Sequence, residues 1–311
     1  MSIGVQSTTR EVVKAYAVPM QPGHFESSDI RLVALDLDGT VLAKDGIHQD
    51  DVDALHELRR SGVELVVATG RSWAESRYAL TTLECDGVMV AASGALMHDA
   101  KTGETLEREL LGDSLIKDVM VRLLEEGRHV HMLQDHQHAG HDYWMVGSGE
   151  VHPVSQWWFD QHEISVNWAD SLSDVPDLGN TVRLGMVGIG SELDPVMKDI
   201  ASSFSEDLHM HHWAAVTESE NAGEAIHILE VFRVGVDKWT MLNRIAKSRG
   251  ITSENILAIG DGLNDIGMLG NAGVGIAMGN AAPEIKAVAH GVTSNIGGGV
   301  ANVVTELLKS R

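Results

Sequence analysis

The sequence predicts an α/β protein whose core is a doubly wound parallel sheet, and three observations lead to this fold class. First, the apolar run 32–35 has no polar residue on either alternate face, as in a strand buried on both sides of a parallel sheet. Second, segments with helical periodicity follow this run and the next apolar runs, so strands and helices alternate. Third, a chain of 311 residues exceeds the usual single core, which favours two domains.

The elements of the predicted core follow one another in a regular order. Apolar residues recur at helical spacing over 48–60, before Gly62, which indicates a first helix that ends at a glycine. Residues 95–109 are predicted to form a hairpin that turns at Thr102-Gly103. By the same patterns, we expect further strands at 64–68, 86–92, 226–232, 256–259 and 273–277, and helices at 72–83, at 239–246, around Pro283 and at 299–309.

The middle of the chain differs in composition from both flanking parts. Residues 111–223 are rich in histidine and tryptophan, and we predict a separate α+β domain inserted between two core segments, 29–110 and 224–311. Residues 1–28 mix Ser, Thr, Gln, Pro and Gly without the apolar stretch of a secretory signal, so we expect a loose N-terminal extension. Within the insertion we expect helices at 113–126 and 193–204, and strands at 130–133, 181–187 and 208–216.

Composition and charge exclude several classes of partner. With 43% hydrophobic and 22% charged residues, the chain has the composition of a soluble globular protein, and no apolar run reaches the roughly 18 residues that a membrane span needs. A formal net charge of −22, without a basic cluster, disfavours binding to nucleic acid or to an anionic membrane. The single cysteine, Cys85, excludes an intramolecular disulfide and fits a reducing compartment, so we expect a cytoplasmic location. The oligomeric state stays open.

Polar side chains stand at the carboxyl ends of three predicted core strands and at the start of one helix. In chain order they are Asp36, Asp38, Thr69, Lys238, Asp261 and Asp265. Because open α/β sheets place their ligand crevice at this edge, we expect one site to gather these side chains. Gly39 follows the first two aspartates directly and permits a sharp turn of the backbone there.

This set of residue types is the set that phosphoryl transfer needs. A carboxylate that is ionised at neutral pH can act as nucleophile, an ammonium can offset charge, and a second carboxyl can supply a proton. Several carboxylates that face a phosphate repel it and one another unless a cation lies among them. Their hard oxygen atoms favour Mg²⁺ as that cation.

The same residues make the chain resemble the haloacid dehalogenase (HAD) superfamily, and within it the Cof-type sugar-phosphate phosphatases with a large α/β cap. The inserted region 111–223 lies where the C2-type cap of that family lies, between the second and third motifs. In one departure, the chain has Ser93-Gly94 where the family usually has Asn-Gly. The four motifs occur in the order of the family: Asp36-Leu-Asp38-Gly39-Thr40, Thr69-Gly70-Arg71, Lys238, and Gly260-Asp261-Gly-Leu-Asn264-Asp265.

The resemblance implies a role for each of these residues. Asp36 would attack phosphorus to form an aspartyl-phosphate, and Asp38 would protonate the leaving group and then activate water. Thr69 and Lys238 would bind the phosphoryl group. Mg²⁺ would be bound by the Asp36 carboxylate, the backbone carbonyl of Asp38 and Asp261. The supporting contacts to metal and phosphate would come from Gly39, Gly70, Asn264 and Asp265.

The resemblance further implies a Mg²⁺-dependent phosphatase for a small phosphorylated metabolite, and we expect a sugar phosphate. Arg71 is predicted to contact this substrate. His136, His138 and His141 are predicted to donate hydrogen bonds to a polyol, although they could simply cover surface. The alternative is a transition-metal site in the histidine run of this region: His129, His131, His136, His138, His141 and His152. Two other functions stay open: a phosphomutase that returns the phosphate to its substrate, and a catalytically silent regulatory protein that binds a phosphorylated ligand.

Overall fold

A computed structural model describes Pro19, Phe25, residues 29–214 and residues 226–311. The predicted extension 1–28 therefore lies almost wholly outside the described residues, as does the end of the predicted strand 208–216. Within the described ranges, no helix is long and apolar enough to cross a membrane. The strands are β1 (Leu32–Leu35), β2 (Leu42–Ala43), β3 (Gly46–Ile47), β4 (Glu64–Ala68), β5 (Val88–Ala91), β6 (Leu96–Asp99), β7 (Thr105–Arg108), β8 (Val130–Gln134), β9 (Tyr143–Val146), β10 (Val166–Ala169), β11 (Thr181–Ile189), β12 (Leu208–Ala214), β13 (Ile226–Arg233), β14 (Ile256–Gly260), β15 (Val274–Ala277) and β16 (Gly291–Val292).

Helices connect most of these strands, and several begin at familiar sequence signals. Before the second helix, the Ser72 side chain accepts a hydrogen bond from the N–H of Glu75, whose carboxylate accepts one from the N–H of Ser72. Pro153 and Pro283 each stand in a first helical turn. The helices are α1 (Gln49–Arg60), α2 (Trp73–Thr82), α3 (Asp113–Leu124), α4 (His136–Ala139), α5 (Pro153–Gln161), α6 (Gly190–Phe204), α7 (Lys238–Ser248), α8 (Ile266–Asn271), α9 (Pro283–Val288) and α10 (Gly299–Lys309).

The first sheet has eight strands in the order β16-β15-β14-β1-β4-β5-β6-β7. The six strands from β16 to β5 are parallel, and β1 lies between β14 and β4. β6 and β7 pair antiparallel at one edge and form the predicted hairpin. Because β1, β4 and β14 are parallel neighbours, their carboxyl ends lie side by side, and the polar residues that follow them meet at one edge of the sheet.

Helices cover both faces of the first sheet. Val33 and Leu35 of β1 pack with apolar residues of α1 and α10, whereas Leu32 and Ala34 pack with those of α7 and α8. All four side chains are fully buried. Burial on both faces explains why the run 32–35 has no polar alternation. The doubly wound α/β core that the sequence predicts is confirmed.

The second sheet has six strands in the order β10-β9-β8-β11-β13-β12. α3 and α6 pack on it through apolar residues such as Met120 and Ile200. The strand predicted at 226–232 was expected to resume the core, but it is β13 and pairs antiparallel with β11 and β12 in this second sheet. Its apolar run resembles that of a core strand, and a local pattern does not reveal the partner strands. After the insertion, the chain therefore rejoins the first sheet only at β14.

The stretch between β8 and β11 forms elements that the sequence patterns did not predict. β9 pairs with β8, and β10 extends the same sheet. The helix α5 lies between them in the chain and carries three consecutive aromatic residues, Trp157, Trp158 and Phe159. Together with Tyr143 of β9, these aromatic residues line a cavity between the two sheets. The elements from α3 to β13, which we call the cap, thus cover the edge of the first sheet where the aspartates lie.

Candidate active site

Asp36 and Asp38 lie directly after β1. The N–H of Asp36 donates to the carbonyl of Ile259 on β14 at 3.0 Å, which extends the pairing of the two strands. Asp36 is buried, whereas Asp38 is exposed. Gly39 has φ of +79°, and a Cβ there would lie 2.2 Å from Oδ2 of Asp261. The glycine is therefore required both for the turn and for the close approach of the two acidic loops.

Lys238 lies between two carboxylates and has no exposed surface. Its Nζ donates to Oδ1 of Asp36 at 2.6 Å and to Oδ1 of Asp265 at 2.7 Å. Burial alone would lower the pKa of Lys238, but these carboxylates raise that pKa above its ordinary value, so the ammonium stays charged. The other oxygen of Asp265 accepts hydrogen bonds from the N–H groups of Asp261 and Gly262. Both carboxylate oxygens of Asp265 thus accept hydrogen bonds from the protein.

Three carboxylates converge beside this lysine and form an acidic cluster. Oxygen atoms of Asp36, Asp261 and Asp265 lie within 4.8 Å of one another. Burial and the neighbouring carboxylates raise the pKa of Asp36 well above its ordinary value in spite of Lys238, and they raise the pKa of Asp261 to about 6. The negative charge here therefore exceeds what the lysine offsets. A divalent cation would balance that excess, and the hard oxygen ligands fit such a metal.

Asp261 is oriented by two side chains. Oγ1 of Thr40 donates to Oδ1 of Asp261 at 3.1 Å. Nδ2 of Asn280 donates to Oδ2 of Asp261 at 3.0 Å and to the carbonyl of Gly39 at 2.8 Å. Oδ1 of Asn280 accepts from the N–H of Ile296 at 3.0 Å. Asn280 therefore ties the acidic loops after β1 and β14 to the loop after β15.

The residues predicted to contact phosphate lie at the same edge. Oγ1 of the buried Thr69 accepts from the N–H of Arg71 at 3.2 Å, and Gly70 and Asn264 line the cavity together with Asp36. Nδ2 of Asn264 also donates to Oγ of Ser93 at 3.4 Å. Ser93 has φ of +54°. Serine adopts this left-handed conformation less readily than asparagine does.

Arg71 lines the cavity, as expected for a substrate contact, but its guanidinium is engaged by Asp38. Nε and Nη2 donate to the two carboxylate oxygens of Asp38 at 2.8 and 2.6 Å, a bidentate arrangement. The guanidinium also lies over the Trp158 ring, 4.7 Å from its centroid, and Nη1 is 3.1 Å from Nε2 of His162. Arg71 thus connects Asp38 to the end of α5 in the cap.

A cavity of about 320 Å³ separates the acidic cluster from the cap. On the cap side, Nη1 of Arg183 donates to the carbonyl of Gly70 at 2.8 Å and pairs with Oε1 of Glu230 at 2.5 Å. Nη2 of Arg183 donates to the hydroxyl of Tyr143 at 2.7 Å. Burial and Glu75 raise the pKa of Glu230, although Arg183 opposes this. The hydrogen bond from Arg183 to Gly70 joins the second sheet to the loop after β4.

Glu75 of α2 extends this buried network on the core side. Its Oε2 accepts from the N–H of Ser72 at 2.7 Å, and its Oε1 accepts from the Tyr143 hydroxyl at 2.9 Å and from Nε1 of Trp158 at 2.7 Å. Burial would raise the pKa of Glu75, but Arg183 and these hydrogen bonds lower it below its ordinary value. Glu75 is therefore a charged group buried between core and cap.

The three histidines expected at the substrate lie elsewhere. His136, His138 and His141 are on or next to α4, and in the described part of the chain none of them lines the cavity beside Asp36. Nδ1 of His138 lies 2.5 Å from Oδ2 of the buried Asp135. His131 of β8 lines the cavity instead. His136 lines a second cavity together with Trp73 and His98. Histidine spacing does not reveal where the loop after β8 lies relative to Asp36.

Four residues of the site were not indicated by the sequence patterns: Glu75, Arg183, Glu230 and Asn280. Arg183 and Glu230 carried a usable signal, because a charged residue inside an apolar strand needs a buried partner. Glu75 had a weaker signal, its position three residues after Ser72 at a helix start. Asn280 stands in a turn without periodicity and carried no comparable signal.

Comparison with known proteins identifies the family of this chain. The family model described as haloacid dehalogenase-like hydrolase matches residues 33–304. The 5-amino-6-(5-phospho-D-ribitylamino)uracil phosphatase YcsE of Bacillus subtilis (strain 168) is 27% identical over 282 residues, which cover 90% of this chain and 96% of that protein. The HMP-PP phosphatase of Escherichia coli O81 (strain ED1a) is 26% identical over 258 residues, which cover 83% of this chain and 87% of that protein.

Comparison with solved structures supports the fold. The crystal structure of a haloacid dehalogenase-like hydrolase from Bacteroides thetaiotaomicron superposes with a TM-score of 0.72 at 23% identity, and the match covers 89% of this chain and 99% of that one. The family model spans both segments of the first sheet and the cap between them. The chain therefore belongs to the haloacid dehalogenase-like hydrolases.

Proposed function

We propose that this hydrolase is a Mg²⁺-dependent phosphatase that hydrolyses phosphate monoesters of small metabolites through an aspartyl-phosphate. The position of Asp36 carries the proposal. One of its oxygens is bound by Lys238, and the residue lines the cavity next to Asp261. A nucleophile and a carboxylate cluster suited to a metal therefore lie at one cavity, and a buried positive charge contacts the nucleophile. Phosphoryl transfer requires these groups.

The two curated relatives support the reaction class. Their names describe phosphatases, one for 5-amino-6-(5-phospho-D-ribitylamino)uracil and one for HMP-PP. The two names share the release of phosphate from a small metabolite and differ in the group that carries the phosphate. We extend the shared part to this chain, and the resemblance of its motifs adds a sugar phosphate as the expected substrate.

In the proposed reaction the Asp36 carboxylate attacks phosphorus, and the bond from phosphorus to the leaving oxygen breaks. Lys238 offsets the repulsion between this carboxylate and the phosphoryl group. Thr69 and Asn264 donate hydrogen bonds to the phosphoryl oxygens. Bound Mg²⁺ would be held by the carboxylates of Asp36 and Asp261 and by the backbone carbonyl of Asp38, and would neutralise charge on the phosphoryl oxygens.

Asp38 is the proposed acid and base. It gives a proton to the leaving oxygen, and it then takes a proton from the water that hydrolyses the aspartyl-phosphate. Arg71 orients the Asp38 carboxylate through its bidentate pair. Because Arg71 also contacts Trp158, the cap takes part in placing this carboxylate.

Phosphate release from p-nitrophenyl phosphate tests the proposal. We expect activity with Mg²⁺, loss of activity after treatment with EDTA, and inhibition by Ca²⁺, which takes more ligands at longer distances. Asp36→Asn should abolish turnover. Asp45→Asn is the matched control, because Asp45 is an exposed aspartate in the turn between β2 and β3. Full activity after metal removal, or in Asp36→Asn, would contradict the proposal.

A further inference from the structure

Glu230 is a charged residue of the cavity that the proposed chemistry does not use. It lies on β13, is 5% exposed and lines the cavity. Its Oε1 pairs with Arg183 at 2.5 Å, but its Oε2 has no hydrogen-bond partner among the described residues. A buried carboxylate oxygen without a partner costs free energy unless a ligand supplies the donor. Of the buried side-chain atoms without a partner in the described chain, only this one belongs to a residue of the cavity.

The pairing of the cap strands leaves room beside this carboxylate. Gly185 of β11 pairs with Glu230, and His131 of β8 pairs with Gly185. Directly paired residues share a face of the sheet, and all three line the cavity. A Cβ at position 185 would meet no atom closer than 3.4 Å. Because Gly185 has no side chain, there is space next to Glu230 in which its carboxylate can turn toward a ligand. Nε2 of His131 lies 3.0 Å from Oγ of Ser155.

Most of the remaining cap wall is apolar. It includes Val154, Trp157, Phe159, Val187 and Ile228. A fully hydroxylated sugar would place several hydroxyls against these side chains, and each buried hydroxyl without a partner costs free energy. A ring with apolar faces and a single donor avoids most of this cost. The wall therefore disfavours the polyol that the sequence resemblance predicts.

We propose that Glu230 is a specificity-determining residue that accepts a hydrogen bond from the leaving group, and that this leaving group contains a largely apolar ring with an N–H donor, as in an amino-substituted aromatic heterocycle. The inference rests on the proposed phosphatase function and replaces the sugar phosphate expected from the motifs with this ring class. Because Arg183 holds Oε1, the donor binds the remaining oxygen. A substrate without the donor leaves that oxygen unpaired and loses binding energy in the transition state.

Matched benzyl phosphates test this assignment. Each aminobenzyl phosphate isomer has nearly the shape of the corresponding methylbenzyl phosphate and differs from it in the donor. For the best isomer, we expect the wild-type kcat/KM to favour the amino ester at least about tenfold over the methyl ester, and also over glucose 6-phosphate. Glu230→Gln keeps an oxygen for Arg183 and replaces the unpaired oxygen by an NH₂ group, so the amino-to-methyl ratio should fall to about one.

Glu192→Gln is the matched control, because Glu192 forms an arginine–glutamate pair with Arg128 in the cap, outside the cavity. It should keep the wild-type ratio. Equal kcat/KM for the amino and methyl esters of every isomer, or an unchanged preference in Glu230→Gln, would overturn the role of Glu230 while phosphatase activity stands. Faster hydrolysis of glucose 6-phosphate than of every amino ester would overturn the ring class.

Failure of the proposed function itself has a different signature. In that case no Mg²⁺-dependent phosphate would be released from any of these esters or from p-nitrophenyl phosphate. Thermal melting followed by circular dichroism checks that Glu230→Gln is folded. If it is not, the amino-to-methyl ratio of the wild-type protein decides, because that ratio needs no variant.

Discussion

Lys238 has a structural task as well as its proposed catalytic one. Its ammonium lies 2.6 Å from Asp36 and 2.7 Å from Asp265, without exposed surface. When one partner of a buried ion pair is removed, the remaining charge is uncompensated, which typically costs about 3–5 kcal/mol. The same ammonium contacts the carboxylate that is proposed to attack phosphorus. Turnover and stability should therefore change together when this charge is lost.

The first prediction concerns this lysine. Lys238→Met keeps most of the aliphatic stem, and we expect it to lower kcat by about two orders of magnitude and the free energy of unfolding by about 3 kcal/mol. Assays with p-nitrophenyl phosphate and urea unfolding curves measure the two quantities. Lys247→Met serves as control because Lys247 is an exposed residue of the same helix. Wild-type turnover in Lys238→Met would remove Lys238 from the reaction.

A second prediction at this scale concerns Asn280, which contacts both Asp261 and the carbonyl of Gly39. Loss of a residue that orients a metal ligand typically weakens metal binding about 10–100-fold. We therefore expect Asn280→Ala to raise the Mg²⁺ concentration for half-maximal activity by about tenfold or more, with a smaller change in kcat at saturating Mg²⁺. Asn302→Ala is the control, since Asn302 bonds only Ser294 among the described side chains and lies outside the cavity. Identical Mg²⁺ titrations for both variants would contradict the role given to Asn280.

Sequence patterns could identify the acidic residues and Lys238, because each stands at the end of a strand or the start of a helix within an ordered motif. They could not identify Asn280, which meets Gly39 across 241 positions of the chain. They also could not show that Arg71 is bound by Asp38, because that contact depends on how two loops face each other. Contacts between loops are set by tertiary packing, which local periodicity does not contain.

At the scale of elements, the loop after β5 supports the start of α7. Gly94 has φ of +106°, and a Cβ there would lie 2.1 Å from the carbonyl oxygen of Asp237 and 3.0 Å from the N–H nitrogen of Lys238. The loop and the helix start are therefore in direct backbone contact. Since Lys238 begins α7, any displacement of this helix moves the ammonium away from Asp36.

The third prediction uses this contact. Gly94→Ala should lower both the melting temperature and kcat, because the new methyl group displaces the start of α7. Gly112→Ala is the matched control: Gly112 has φ of +85°, but a Cβ there would meet no atom within 4 Å. It bears the strain of a positive φ, about 1–3 kcal/mol, without the clash. Equal losses of activity in the two variants would show that backbone strain, and not contact with α7, matters at Gly94.

The elements differ in how well the sequence could predict them. The strands of the first sheet were predictable because apolar runs buried on both faces occur between helical patterns. β13 was assigned to the wrong sheet because its run is equally apolar and its partners, β11 and β12, are visible only in the pairing. β9, α5 and β10 were missed because they are short. The aromatic residues of α5, together with Tyr143 of β9, line the cavity instead of forming a periodic core stripe.

At the scale of the whole molecule, Glu75 joins core and cap through buried hydrogen bonds to Tyr143 and Trp158. An ion pair between Arg77 and Glu163 also connects core and cap, but both of its side chains are exposed. Exposed pairs typically contribute about 0–1 kcal/mol, whereas loss of a buried charge within a network costs more. The two glutamates therefore form a natural comparison between a buried and an exposed connection.

The fourth prediction is the pH dependence of this connection. The pKa of Glu75 is lowered in the folded protein, so its stabilising effect is present above its unfolded pKa of about 4.3 and is lost as pH falls through the lower folded value. Glu75→Gln should reduce the free energy of unfolding by about 3 kcal/mol at pH 7, and the difference from wild type should shrink below about pH 4. Urea unfolding across this pH range measures it. Glu163→Gln should change little at any pH, and a pH-independent deficit in Glu75→Gln would contradict the account.

The central claim is that Asp36 receives the phosphoryl group and that Asp38 releases it to water. Asp38→Asn retains the shape of the side chain but has neither a proton to give nor a base to accept one. A substrate with a good leaving group, such as p-nitrophenyl phosphate, should still phosphorylate Asp36, and the intermediate should then accumulate.

Intact-mass measurement after an acid quench, followed by peptide mapping, tests this claim most directly. The account predicts a phosphate adduct on Asp36 in the Asp38→Asn variant and no adduct in the Asp36→Asn variant. An adduct on Asp38 in the Asp36→Asn variant would reverse the two roles. The absence of an adduct from both variants, with an active wild-type protein, would contradict the aspartyl-phosphate and indicate direct attack by water.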